Sequence, residues 1–305
     1  MAHFAFTQDE TGGAVRNWAG YEYGIGASRG DASVIEESPF PRFGPEKSLR
    51  LDGSGDHVST EVVVPTDKSF TVAAWARLDA VDRTSSVLSQ DGMRVSGFSL
   101  KAQKNGAWEF GIPQADAENV AWDVVRGPTV AANRWTHLAG VYDAAVNELR
   151  FYVNGSLVGK TKRTSTWKAS GGLQIGRGMW NGIEGDHLAG GIDEVHAWTG
   201  ARDEAGLADY VVPAAQSRED RCNIGHWLHA GGPQVKAAAS AALAGTDYDR
   251  RLTYQQIGGT QHQLTYASFK DQEDYRVALP IRGLEGSPRK AGGLGSRLRL
   301  VPPGP

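Results

Sequence analysis

The chain has 305 residues, a formal net charge of −3 and nine tryptophans, with a pI near 6.3. That balance gives no strongly basic field of the kind that attracts nucleic acid or an anionic membrane surface, and no stretch approaches the ~18 apolar residues of a membrane span. A single cysteine, Cys222, excludes an intrachain disulfide, so burial and sheet hydrogen bonds must hold the fold.

In chain order, residues 4–24 read as strands: Phe4 and Phe6 face one way, and Gly12-Gly13 turns before Val15 and Trp18. From Gly24 to Pro45, glycines and prolines recur without periodicity, which predicts a long surface connection. Order resumes at Ser48 to Asp52 and His57 to Val63, across the turn Asp52-Gly53-Ser54-Gly55-Asp56. The run Phe70 to Leu78 is apolar on nearly both faces, as a central strand requires. Further strands are expected at 85–90, 97–101, 108–112 and 120–125. Between Arg134 and Gly155 two alternating runs follow, Trp135, His137 and Ala139, then Leu149, Phe151 and Val153. Asn154-Gly155 readily takes the two positive φ values of a type I′ turn, so a third strand, Leu157 to Lys162, completes an antiparallel meander. That turn accounts for Asn154-Gly155-Ser156, which also reads as a glycosylation sequon. Strands at 173–176 and 190–198 follow. The expected fold is mainly β, an antiparallel sandwich of two sheets with a small C-terminal α-helical segment.

After Trp198, residues 201–210 suit a short helix and Pro213 to Glu219 has linker character. Ile224, Trp227 and Leu228 fall on one helical stripe, then Val235, Ala238, Ala239, Ala242 and Leu243 on another. Pro233 opens that second helix, Gly245 closes it, and Thr246 with Asp249 can cap a third. Such short helices must pack on something; the sandwich is expected to receive them, with Trp227 buried against it. The expected units are 1–212, 213–258 and a poorly structured 259–305.

W-x-H-L-A-G-V-Y-D followed by L-x-F-Y-V-N-G resembles the signature of laminin-G-like, concanavalin A-like jelly rolls of secreted bacterial proteins. Five further pieces agree in order: Phe4-Ala-Phe6, Leu49 to Gly53, Phe70 to Trp75, Leu173 to Arg177 and Gly191 to Val195. The segment H-x-G-G-P-x-V-K-A-A-A-S-A-A-L-A-G-T-D is similar to the alanine-rich helical (ALF-type) repeats of secreted actinobacterial proteins, some of them toxin-like. The resemblance implies an extracellular protein, with a signal peptide absent from this chain, and partners that are carbohydrate, a cell-surface protein or other subunits of a larger assembly.

It also implies a calcium site. Hard oxygen ligands from separate loops suit Ca²⁺, and Asp9, Asp52, Asp56 and Asp193 lie in segments that approach one another in such relatives. Asp52 and Asp56 otherwise serve as turn residues. For a ligand rim, exposed aromatics beside amides and carboxylates suit sugars; Trp180, Asn181, Glu184, Asp186 and His187, with Trp167 upstream, have that composition. The alternative is a wet loop with Trp180 tucked onto the sheet. Hydrolysis by this architecture needs two paired carboxylates. In laminarinase-like relatives of this fold the resemblance implies E-x-D-x-x-E, whereas here Gly191 stands in place of the first Glu and no acid follows Glu194, and regular alternation sends Asp193 and Glu194 to opposite faces. Cys222, His226 and His229 share a helical stripe but lack a fourth zinc ligand. The expected role is non-catalytic recognition; structural delivery within a toxin-like assembly and glycoside hydrolysis are the alternatives.

Overall fold

A computed structural model of the chain describes residues 2–4, 6, 14–16, 25–29, 32–35, 47–62, 64–212, 214–246, 248–250, 267–268 and 270–273. Strands at its start are β1 (Ala2–Phe4), β2 (Ala14–Arg16), β3 (Ile25–Arg29), β4 (Ser33–Ile35), β5 (Ser48–Asp52) and β6 (His57–Ser59). Then come β7 (Phe70–Leu78), β8 (Ser85–Asp91), β9 (Ser96–Ala102), β10 (Ala107–Pro113), β11 (Trp122–Thr129), β12 (Thr136–Asp143), β13 (Glu148–Val153) and β14 (Ser156–Lys162). The last strands are β15 (Leu173–Ile175), β16 (Gly178–Trp180), β17 (Ile183–Gly185) and β18 (Ala189–Thr199), and the helices are α1 (Glu204–Val211), α2 (Ala214–Ala230) and α3 (Pro233–Ala244).

One sheet runs β14-β13-β12-β7-β18-β5-β4, with β1 also on β18; the second runs β11-β10-β9-β8-β15-β6-β3-β2. The two pack face to face, and the fold is a mainly β sandwich of antiparallel sheets. Side chains of period two meet between them: Val72, Ala74, Leu138, Leu149, Phe151 and Ile192 from the first sheet, Phe98, Leu100, Phe110, Ile112 and Val125 from the second. Gly140 is required where the sheets come closest, since a Cβ there would lie 2.3 Å from the Phe110 ring. The first sheet is also covered on its outer face, where Ala73, Ala139, Trp198 and Leu207 form one apolar cluster and Trp75, Trp135, Val211, Val212 and Tyr248 another. That double burial explains why β7 is apolar on nearly both faces.

The Asn154-Gly155 turn has φ of 52° and 84°, as a type I′ hairpin demands, and joins β13 to β14. β12 lies inside its sheet and β13 is one strand from the edge.

Three expectations are corrected. β3 and β4 fall within 24–45, where a long connection was expected; strands this short pair through backbone groups alone and need no alternating pattern. The expected linker 213–219 is helical from Ala214 onward, because Ala, Gln, Arg and Glu favour helix over Pro213 just upstream. Trp227 is 38% exposed instead of buried. The helical pair packs on itself through Ile224, Val235, Ala239, Ala242 and Ala267, and Asp271 caps α3 by accepting the N–H groups of Gln234 and Val235 at 2.8 and 3.0 Å. Thr246 and Asp249 form the reciprocal cap that their spacing suggests, at 2.8 and 3.2 Å. Residue 9 and most of 259–305 lie outside the described residues.

Candidate functional site

The β16–β17 hairpin lies on the outer face of the second sheet. Its turn, Asn181-Gly182, has φ of 51° and 77°, a second type I′ turn dictated by the Asn-Gly pair. Buried serines of the sheet beneath hold it: the Met179 N–H donates to Ser96 Oγ at 2.8 Å, Ser89 Oγ donates to the Arg177 carbonyl at 2.8 Å, and the Ser86 N–H donates to the Asp186 carbonyl at 2.8 Å. Arg177, itself buried, clamps the base, making a two-pronged bond to Asp91 at 2.9 and 2.7 Å and an ion pair with Glu184 at 3.1 Å.

At the tip, Trp180 is 45% exposed and stacks on Trp122 of β11, ring centres 6.2 Å apart and planes 28° apart. Lys101 of β9 places its ammonium 5.6 Å from the Trp122 ring centre. Asn181 Oδ1 accepts the Asn119 N–H at 2.9 Å, and the Gly182 N–H donates to the Arg94 carbonyl at 2.7 Å. Asp116 gathers the 93–95 turn by accepting three N–H groups at 2.7 to 3.1 Å. The apolar side chains of Met93 (80% exposed) and Ile183 (71%) extend the surface. An aromatic pair flanked by amides, an ammonium and aliphatic groups is suited to a flat molecule with polar edges.

The residues singled out from the sequence divide. Trp180 and Asn181 are at this surface. Glu184 turns to Arg177. Asp186 is exposed with a φ of 54°, and His187 leads away to His57, ring centres 6.0 Å apart; burial, assisted by Arg177, holds His57 below its usual pKa against the hydrogen bond with the Gly55 carbonyl. Trp167 is half-buried, its Nε1–H donating at 2.7 Å to the carbonyl of Pro113, the cross-strand partner of Trp122. Trp122 and Lys101 were not anticipated. The sequence does carry a signal for Trp122, since it alternates with Val124 and Arg126 against the core residue Val125.

The aspartates do not assemble. Asp52 Oδ1 accepts the Ser54 N–H at 2.6 Å and Asp56 Oδ2 accepts the Asp52 N–H at 3.1 Å, the turn role of such residues. Ala189 is the strand partner of Asp52, so Asp193, four residues further along β18, is roughly 13 Å away at ~3.3 Å per residue. Asp193 Oδ1 accepts the Glu194 N–H at 2.8 Å. Asp9 lies outside the described residues. Asp52, Asp56 and Asp193 therefore do not fit one calcium ion, and adding millimolar Ca²⁺ to the metal-free chain should leave the melting temperature unchanged. A calcium-induced rise that Asp52→Ala or Asp193→Ala abolishes would show that an ion does recruit them.

β18 departs from regular alternation. Asp193 opposes Trp75 while His196 opposes Ala73, leaving one extra residue, and Glu194 takes a φ of 47°. This bulge puts both Asp193 and Glu194 on the outer face, contrary to the expectation of opposite faces, because an added residue shifts the alternation by one. Glu194 Oε2 accepts from Nε2 of His3 at 2.8 Å and of His196 at 3.2 Å. Burial opposes its charge, yet those two bonds prevail and hold its pKa down at about 2. Cys222, His226 and His229 are exposed on α2.

Residues 52–208 match the family described as the concanavalin A-like lectin/glucanases superfamily, and residues 221–256 match one described as short repeats of unknown function. No curated protein matches the chain. Among solved structures, the receptor-binding domain of botulinum neurotoxin type G is similar at a TM-score of 0.50 and 11% identity, over 69% of this chain and 50% of that one. A botulinum neurotoxin type C structure, described as depending on two ganglioside molecules for cell entry, is similar at a TM-score of 0.51 and 13% identity over the same shares. The binding domain of botulinum neurotoxin DC, in complex with rat synaptotagmin II, gives 0.50 and 13%, again over 69% and 50%. The chain spans about half the length of these structures, and at such identities they speak to the fold.

Proposed function

The chain belongs to the concanavalin A-like lectin/glucanases superfamily, and from that premise we propose that it is a non-catalytic recognition module of an extracellular protein, with carbohydrate as its ligand. The observation that carries this reading is the Trp122–Trp180 pair on the outer face of the second sheet, half open to solvent and bordered by Lys101, Asn119 and Asn181. The apolar face of a sugar ring stacks on indole while amides and an ammonium reach its hydroxyls.

The carboxylates around this surface support a binding role over hydrolysis. Glu109 is tied to Arg126 at 2.7 Å and Gln103 at 2.8 Å, Glu118 pairs with Arg94 at 3.2 Å, Glu184 and Asp91 share Arg177, and Asp116 holds backbone amides. A glycosidase acid must be free to carry a proton to the leaving group, whereas each of these already serves a structural partner. The exposed Met93 and Ile183 favour a second reading, in which the same surface meets a cell-surface protein or another subunit of a larger assembly.

The full chain, labelled and applied to a glycan array, should bind a restricted set of sugars saturably. Binding to no sugar, together with binding to a protein partner, would replace the first reading by the second. Release of reducing ends from an array-positive glycan would contradict the non-catalytic assignment.

A further inference from the structure

We propose that His3, Glu194 and His196 form a binding site for a borderline-soft divalent cation, with Zn²⁺ the best match. The site is on the outer face of the first sheet, apart from the Trp122–Trp180 surface. Register builds it. His3 of β1 is the direct cross-strand partner of His196 of β18, so both rings stand on one face, and the bulge at Glu194 turns its carboxylate to the same side. One ligand atom from each residue lies within 4.8 Å of the other two. Among the described residues, this is the one such grouping of three. Two imidazoles and a carboxylate are a donor set that zinc accepts, with a fourth position left for water or a ligand.

The surroundings suit a bound ion. His196 is buried, while His3 and Glu194 are each about one-third exposed, which leaves an entry path from solvent. His196 is sandwiched between His3 (ring centres 4.0 Å) and Trp198 (5.0 Å) and meets the edge of Tyr210 at 4.8 Å, so the inner ligand is fixed. A second observation comes from His137 on the same face. It is fully buried and neither ring nitrogen has a hydrogen-bond partner. Buried polar groups without partners are uncommon, and this one lies across β7 from Asp193 and the bulge at Glu194.

Without an ion the carboxylate oxygen takes the central place, 2.8 Å from one imidazole nitrogen and 3.2 Å from the other. Zinc bonds of ~2.0 to 2.2 Å require ligand atoms ~3.4 Å apart in a tetrahedron, so the oxygen withdraws slightly as the ion enters. The rings of His3 and His196 are nearly parallel, 16° apart, and their in-plane lone pairs do not yet converge. The partly exposed His3 ring must rotate about χ1 and χ2 to close the set. Each neutral ring moves its proton from Nε2 to Nδ1 and presents Nε2 to the metal, so the bond count balances with no proton released.

The test is titration of the full chain with Zn²⁺ and with Co²⁺ at pH 7.5. One equivalent should bind with micromolar affinity or better, and Co²⁺ should develop d–d absorption of tetrahedral intensity. Glu194→Gln and His3→Ala should each weaken binding at least as much as loss of a supporting group does, on the order of 10- to 100-fold. Affinity should fall as the pH drops through the imidazole range, because only neutral rings ligate. His3 is about one-third exposed on a three-residue strand, so His3→Ala keeps the test decisive where Glu194→Gln disturbs the bulge. Absence of saturable binding, or binding unchanged in His3→Ala, including binding that follows Cys222 and the histidines of α2, would overturn the proposal.

Discussion

Phe151→Ala should cost about 3 to 5 kcal/mol, the range for removing a buried aromatic side chain. Phe151 is fully buried on β13 and faces the opposing sheet. Its cross-strand partner is Gly140, whose missing side chain leaves room for the Phe110 ring. The ring also abuts the backbone of β11: a Cβ on Gly127 would lie 2.9 Å from it. With rigid backbone on two sides the cavity cannot collapse, which favours the upper end of the range. Denaturant unfolding of wild type and variant measures the difference. A loss below about 1 kcal/mol would mean that the β12–β13 pair does not organise the core.

The second large effect is a loss of stability in mild acid that depends on His137. Its ring is buried edge-on to Trp75, ring centres 5.4 Å apart. Burial, with a smaller contribution from His196 and against the attraction of Glu194, pushes its pKa down from 6.5 to about 3. In the unfolded chain the ring takes up a proton near pH 6.5, but the folded protein accepts one only near pH 3. The unfolded state therefore binds more protons throughout that interval, and stability is complete above pH 6.5 and falls as the pH falls. By pH 4.5 the loss from this residue amounts to about 2 to 3 kcal/mol, at about 1.4 kcal/mol per pH unit once the unfolded ring is protonated. His196 and His57, also pushed down mainly by burial, add in the same direction. Glu194 contributes in the same sense only below its ordinary value of 4.5. His137→Leu should therefore be shallower than wild type by close to one proton over pH 6.5 to 4.5. It should lose little at pH 7.5, because an apolar group replaces one that bonds nothing. Parallel stability–pH curves for the two proteins would refute this account of His137.

The sequence carried most of the sandwich, because alternation and Asn-Gly turns are local. Trp135, His137 and Ala139 do share one face, and Leu149, Phe151 and Val153 the other, as period two requires. The bulge at Glu194 was not legible, since an unpaired residue leaves no mark on hydrophobicity yet reverses the faces beyond it. Nor was the meeting of His3 with His196, a contact between residues 193 positions apart that depends on which edge β1 joins. The candidate surface was half visible. Trp180 and Asn181 form a self-contained hairpin, but its docking over Trp122 is set by serines of β8 and β9, ordinary polar positions in the sequence. Glu184 and Asp186 share the composition of a rim and miss it for a local reason. Residues on a two-stranded hairpin alternate in direction, and Glu184 faces Arg177.

The central claim is that Trp122 and Trp180 together form the ligand face. The most direct measurement is the affinity of wild type, Trp180→Ala and Trp122→Ala for the strongest glycan on the array, with a melting curve for each protein. Trp180 is at a hairpin tip, so its loss should leave the melting temperature nearly unchanged while weakening binding by about 2 kcal/mol, roughly 30-fold, as for a central aromatic anchor. Unaltered affinity in a folded Trp180→Ala protein would contradict the claim and move the ligand face elsewhere on the sandwich.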